Sequence, residues 1–221
     1  IQNDLYSVQA ERFMELFRPL LPATFGGRML ANWDCRYDID SRGATLFETV
    51  YEALLRRVFG EGLFGSEVWD ELVASTALVA DYYHLFDDAI FSGDPMWFGE
   101  AGRDAVLSDV LSEHLAEVQP EAIVPWGRRQ QIVMQNIFFA GALPRILGFD
   151  YGPVQLPGNR ATVVQSGIFT SHDRQTTFTP SWRFVTDLGE DHARTALAGG
   201  PSGRRFSRWY TTDVRRWLEG R

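Results

Sequence analysis

Apolar residues recur at three- and four-residue spacing through the first 120 positions, which is the period of a helix with one buried face. Phe13, Leu16, Phe17 and Leu20 form the first such stripe, with Asp4 or Ser7 placed to cap it and Pro22 just beyond its end. Leu46, Phe47, Val50, Tyr51, Leu54, Leu55, Val58 and Phe59 form the clearest one. There Thr45 and Glu48 have the spacing of a capping box, and Gly60 is the expected stop. Ser66 is expected to start a third helix carrying Val68, Trp69, Leu72, Val73, Val79, Tyr82, Tyr83 and Phe86 inward, broken at Asp94-Pro95. Leu107, Val110, Leu111, His114, Leu115 and Val118 give a fourth, ending at Pro120. Trp33 to Gly43 is polar and irregular.

After Pro125 the period changes. Ile132 to Leu147 is apolar but interrupted by Gly141 and Pro144, and reads as short helix or irregular chain. Strand signals begin only after Pro157. Ala161 to Phe169 is rich in β-branched residues. Ser181 to Asp187 alternates, with Trp182, Phe184 and Thr186 on one face and Arg183, Val185 and Asp187 on the other. Ala193 to Ala198 is a third candidate strand, and the strands are expected to lie between Ala161 and Ala198. Three strands are too few for a free-standing sheet, so they are expected to complete one begun elsewhere. The pattern predicts an α+β chain: a helical region over 1–125, an irregular connection over 126–160, and closing strands with a terminal segment over 161–221.

Apolar residues make up 45% of the 221 positions, enough for a sizeable core. A net charge of −8 repels a phosphate backbone, which argues against nucleic-acid binding. The arginines Arg204, Arg205, Arg208, Arg215, Arg216 and Arg221, interleaved with Trp209 and Trp217, read as one side of a solvated terminal segment. Cys35 is the only cysteine, so no intrachain disulfide and no cysteine-rich zinc site can form. No run of about 18 apolar residues, the length of a membrane span, and no signal peptide occurs.

Local chemical motifs are few. Asp38-Ile39-Asp40-Ser41-Arg42-Gly43 resembles the first half of a calcium loop, but Arg42 and Thr49 stand where further oxygen ligands belong, so a self-bonded loop is expected. His84, His114, His172 and His192 make no metal-binding pattern; His114 falls on an apolar helix face, and His84 lies near Asp81, Asp87 and Asp88. Gly199 to Gly203 reads as a tight turn. Arg183 and Asp187 share one strand face about 13 Å apart, so each needs a partner on another element.

One long-range pattern covers nearly the whole chain. Trp33-Asp34 is followed by Leu46-Phe47-Glu48, then Trp126-Gly127, Pro157-Gly158 with Thr162-Val163, Ser181-x-Arg183 and Asp187. Gly200-x-Ser202-Gly203 and Ser207-x-x-Tyr210-x-x-Asp213-x-x-x-Trp217-x-x-Gly220 close it. This order resembles the C-terminal part of the β chain of the penicillin acylase (penicillin amidase) family. The resemblance departs after Trp126-Gly127, where Arg128 to Gln131 stand in place of a frequent histidine.

The resemblance implies an αββα N-terminal-nucleophile hydrolase, cut from one precursor into α and β chains. Its substrates would be acyl amides such as β-lactam side chains or acyl-homoserine lactones. Its partners would be the α chain and the N-terminal part of the β chain, and its location periplasmic or secreted. The nucleophile in such enzymes is a Ser, Thr or Cys at a chain start, whereas Ile1 stands here. The resemblance therefore transfers no catalytic residue, cofactor site or metal ligand to this chain, the family's structural calcium being expected upstream. Arg183 and Asp187 are expected to support the site from behind. The alternative is a non-catalytic helical binding module whose C-terminal strands dock a partner.

Overall fold

The computed structural model describes residues 2–139, 141–168 and 176–220; Ile1, Phe169, His172 and Arg221 lie outside them. A mostly helical region is followed by antiparallel strands. Helix α1 (Val8–Phe17) is capped by Ser7, whose Oγ accepts the Ala10 N–H at 3.1 Å. Helix α2 (Phe25–Ala31) is capped by Thr24, whose hydroxyl also donates to the Leu115 carbonyl at 2.8 Å and so ties α2 to α7 (Arg103–Leu115). Helix α3 (Arg42–Leu55) is the central rod. Phe13, Phe17, Phe47 and Tyr51, all fully buried, meet as tilted and edge-on rings at 5.3–6.2 Å where α1 crosses α3.

Three helical details differ from expectation. The cap of α3 is Ser41, which accepts the Ala44 N–H at 3.2 Å, so Thr45 and Glu48 lie inside the helix and form no capping box. Gly60 does not stop the chain: after α3 the backbone widens into a π-helical segment, Arg56–Phe64, and ends at Gly65 with φ +83°. Gly60 is needed there for packing instead, because a Cβ would stand 2.9 Å from the Trp69 ring. The expected third helix is two, α4 (Ser66–Ser75) and α5 (Leu78–Ser92), because Thr76 turns extended between them. Only Trp69 and Phe86 of its inward set are buried, and Val68 and Tyr82 face solvent. Short α6 (Pro95–Phe98) follows the expected break at Asp94-Pro95.

Strands are not confined to Ala161–Ala198. After α8 (Trp126–Arg129), β1 (Gln131–Met134) pairs antiparallel with β2 (Tyr151–Gln155), in the stretch read as short helix or irregular. The long apolar excursion between them hid the hairpin, since Gly141 and Pro144 belong to its loop and not to its strands. The expected strand from Ala161 is mostly turn; β3 covers only Gly167–Ile168 and pairs with β4 (Thr176–Phe178). The alternating segment forms β5 (Trp182–Thr186), in five-residue register with β6 (Ala193–Leu197). Each pair is a separate two-stranded sheet.

Two cores result. The large one fills the helical region, and a small one joins Leu156, Ala196 and Trp217 under β5–β6 and the terminal helix α9 (Val214–Glu219).

Candidate functional site

A buried charge cluster joins α3 to the loop that follows β2. Glu48 projects from α3 at the positions after Ala44 and before Tyr51 that form the buried stripe, and is 2% exposed. Its carboxylate accepts three hydrogen bonds: from the Tyr37 hydroxyl at 2.7 Å, the Asn159 amide at 3.0 Å and Arg160 Nη1 at 2.9 Å. Burial pushes the Glu48 carboxyl up, but the Arg160 guanidinium and these donors outweigh it and hold the group below its ordinary value. Arg160 Nε and Nη2 have no hydrogen-bond acceptor; the guanidinium lies instead over the Tyr51 ring at 4.5 Å and the Tyr83 ring at 5.6 Å.

The loop carrying Asn159 and Arg160 is built for that placement. Gly158 takes φ +79°, and a Cβ there would stand 1.9 Å from the Val164 carbonyl oxygen. The Gly158 N–H donates to the Tyr37 carbonyl at 2.9 Å, and its carbonyl accepts from the Trp126 indole at 2.8 Å and the Ser166 hydroxyl at 2.9 Å. Thr162 Oγ1 accepts the Asn159 N–H at 2.9 Å and donates to the Val164 carbonyl at 2.7 Å. The Pro157-Gly158 and Thr162-Val163 pieces of the sequence pattern are thus a clamp that delivers Asn159 and Arg160 to Glu48.

A second buried carboxylate sits beside the first. Asp87 on α5 accepts from Tyr51 at 2.7 Å and from Gln9 at 2.7 Å, linking α1, α3 and α5. Burial pushes its carboxyl up to about 6, despite those two donors. Next to the cluster lies a cavity of about 320 Å³, with Glu48, Arg129, Gln130 and Arg160 on its polar wall and Trp69, Val73 and Val79 on its apolar one.

The terminal pattern also does structural work. Asp213 Oδ1 accepts from Arg216 at 2.7 Å and Oδ2 from the Leu197 N–H at 3.3 Å, tying α9 to β6. The Trp217 indole donates to the Pro180 carbonyl at 2.7 Å, and the Tyr210 hydroxyl to the Phe149 carbonyl. Gly200 is forced by the nearby backbone, since a Cβ would stand 2.3 Å from the Trp209 carbonyl oxygen.

Arg183 and Asp187 part company. Arg183 is 8% exposed and faces the small core, opposite Ala196, beside a cavity of about 200 Å³. Asp187 is exposed past the end of β5, where its carboxylate accepts the Gly189 N–H at 2.8 Å and shapes the turn to β6. His84 is exposed and His114 half-buried. In the Asp38–Gly43 loop the Asp38 carbonyl accepts the Ser41 N–H at 2.9 Å, and the Asp38 carboxylate pairs with Arg36 at 3.3 Å. Cys35 is buried, and burial pushes its thiol up to about 11.

Among the described residues, no hydroxyl or thiol hydrogen bond to a histidine ring is seen, the Thr186 hydroxyl donating to the His192 backbone carbonyl at 3.1 Å, and no group of three or more His, Cys, Asp or Glu is placed to hold a metal. None of their helices is long and apolar enough to cross a membrane. Sequence reasoning missed Glu48, Arg160 and Asp87. The available signal was a charged residue inside an otherwise apolar stripe: Glu48 three before Tyr51, and Asp87 three before Ile90.

Two comparisons with known proteins bear on this architecture. The chain is 23% identical to the acyl-homoserine lactone acylase QuiP of Pseudomonas fluorescens (strain Pf0-1), over 87% of this chain and 24% of that protein. It therefore spans about a quarter of the length of the curated relative it matches. The family model described as penicillin amidase matches residues 1–221. The chain belongs to the penicillin amidase family, within the N-terminal-nucleophile hydrolase superfamily.

Proposed function

We propose that residues 1–221 form the C-terminal part of the β chain of an amide hydrolase whose nucleophile lies in polypeptide outside them. The carrying observation is the family match along the whole chain, taken with the small share of the relative that the chain spans. The form of the strand region supports the same reading. Two-stranded sheets are marginal alone, and β5 turns Trp182 (55% exposed) and Phe184 (45%) outward. Such strands suit a chain that completes the larger αββα sheet of a precursor-derived enzyme.

On this reading the substrates are linear acyl amides, β-lactam side chains or acyl-homoserine lactones, and the enzyme is periplasmic or secreted. The hydroxyl or thiol nucleophile would take its base and its oxyanion donors from the other segments. This chain supplies scaffold, with Arg183 supporting the sheet from its buried face and Asp187 holding the turn beyond it.

The test is to express the complete open reading frame and assay release of acyl groups from a chromogenic acyl amide and from an acyl-homoserine lactone. Hydrolysis is expected only in the matured complete protein, and residues 1–221 alone are expected to be inactive. Turnover by residues 1–221 alone, abolished by a substitution within them, would overturn the assignment. A complete protein with neither a processed Ser, Thr or Cys nor activity would favour a non-catalytic binding module.

A further inference from the structure

Arg183 sits in a setting that the described residues leave chemically incomplete. Its guanidinium makes one long hydrogen bond, Nη1 to the Gln2 carbonyl at 3.4 Å, and its buried Nε has no acceptor. Among the described residues no carboxylate pairs with it, and burial alone pulls its pKa below the ordinary value. An arginine keeps its proton at any working pH, so the charge stays and needs a counter-ion. The cavity it lines, about 200 Å³, runs between the N-terminal segment at Leu5, the Leu156-Pro157 loop and α9. That is below the volume of a typical small-molecule site, roughly 300 Å³ and upward, but it accommodates a carboxylate on a short apolar stem. The acid facing it from α9, Glu219, is bonded to Arg215 at 3.0 Å; the other described elements around the cavity contribute neither acid nor base beyond Arg183 itself.

We propose that this cavity is a carboxylate receptor, filled in the assembled protein by an aspartate or glutamate side chain from polypeptide outside residues 1–221. The inference rests on the reading of the chain as part of a larger acylase. Two observations favour a tethered carboxylate over a free one. The relative is some four times the length spanned here, and on the acylase reading a correspondingly large remainder docks against this chain. The chain also carries a net charge of −8, which repels free anions, whereas a tethered carboxylate arrives at high effective concentration.

The sequence provides its own test. Residues 1–221 contain no lysine, so Arg183→Lys in the complete protein places the first side-chain amine within them while keeping the charge, and a cross-link at position 183 is read from its own peptide. A water-soluble carbodiimide activates a carboxylate in contact with that amine; the amide bond forms and the carbodiimide leaves as its urea. Peptide mass mapping is expected to show position 183 joined to an Asp or Glu outside residues 1–221. A link only to Glu219, or no link in soluble protein, overturns the proposal. Where Arg183→Lys does not mature, Arg183→Met strands the incoming carboxylate without a cation. The thermal midpoint gap between native and variant protein is then expected to narrow by several degrees from pH 8 to pH 5, as that carboxylate takes up a proton; a gap independent of pH overturns the proposal. Native activity and detection of the processed nucleophile report on the acylase reading separately, so failure of the receptor leaves that reading standing.

Discussion

Glu48 and Asp87 show how two buried carboxylates in one core come to opposite electrostatic ends. Glu48 has a cation at 2.9 Å and stays ionised; Asp87 has only neutral donors, so burial prevails and its carboxyl rises to about 6. Removing Glu48 leaves the Arg160 charge buried and alone. Glu48→Ala is therefore expected to cost about 3–5 kcal/mol, and Glu48→Leu with Arg160→Met to recover most of that, measured by denaturant unfolding. Additive losses in the double variant would show that the pair does not act as a unit. For Asp87 the sign runs the other way. Its folded pKa of about 6 exceeds the ordinary 3.8, so the native state binds the proton more tightly and stability contributed by this group rises as pH falls from about 6 to about 4. That difference is worth roughly 3 kcal/mol. Asp87→Asn removes it, and Gln9 can turn its unpartnered Oε1 toward the new amide N–H. The variant is expected to match or exceed native stability at pH 7 and to lose that margin by pH 4, in thermal unfolding of the helical region. A margin unchanged across that range would mean that Asp87 is ionised in the fold. Both residues were visible in the sequence as charges within an apolar stripe. Their partners were not, because Arg160 lies 112 positions from Glu48 and only the fold brings them together.

At the scale of elements, the loop from Pro157 to Ser166 couples the helical region to the strands, and its geometry depends on Gly158. Gly158→Ala must either abandon φ +79° or push a methyl into the Val164 carbonyl, so the Trp126 and Tyr37 bonds and the seat of Arg160 go together. Loss of soluble protein, or a drop in stability well above the roughly 1 kcal/mol of an ordinary glycine replacement, is expected; a change within that figure would show that the loop adapts. Ser41→Ala is the milder companion, removing the bond to the Ala44 N–H for about 1 kcal/mol. Element type was legible wherever side-chain period was sustained: α1, α3, α7 and β5 were anticipated from spacing, and β6 was anticipated as a candidate strand. Spacing failed where non-local packing decides. The cap of α3 lies one turn earlier, at Ser41, and Glu48 is held by Arg160 rather than by the helix start. The β1–β2 hairpin was hidden because its strands are 16 residues apart and only four and five residues long. Turn chemistry overrode β-branching in the stretch from Ala161, where Asn159 Oδ1 accepts the Ala161 N–H at 2.8 Å and bends the chain.

Across the whole molecule the two regions differ in how far they are self-sufficient. The helical region closes a core of interlocked aromatic rings, with Phe13, Phe17, Phe47 and Tyr51 fully buried. Among the described residues, the strand region gathers a buried cluster of only Leu156, Ala196 and Trp217, three separate two-stranded sheets, and Trp182 and Phe184 in solvent. A hairpin with one thin supporting layer opens easily, and its amides exchange from low-lying open states; strands inside a large sheet do not. Hydrogen exchange should therefore separate the regions when residues 1–221 are compared with the complete protein. Peptides covering Trp182–Leu197 are expected to exchange at least tenfold more slowly in the complete protein, because added strands or a covering layer suppress local opening. Peptides from Val8–Phe17 and Arg42–Leu55 are expected to change little, because their burial is complete within the chain. Equal protection of Trp182–Leu197 in both proteins would mean that β5 and β6 complete no larger sheet, and would remove the structural support for assembly while leaving family membership intact.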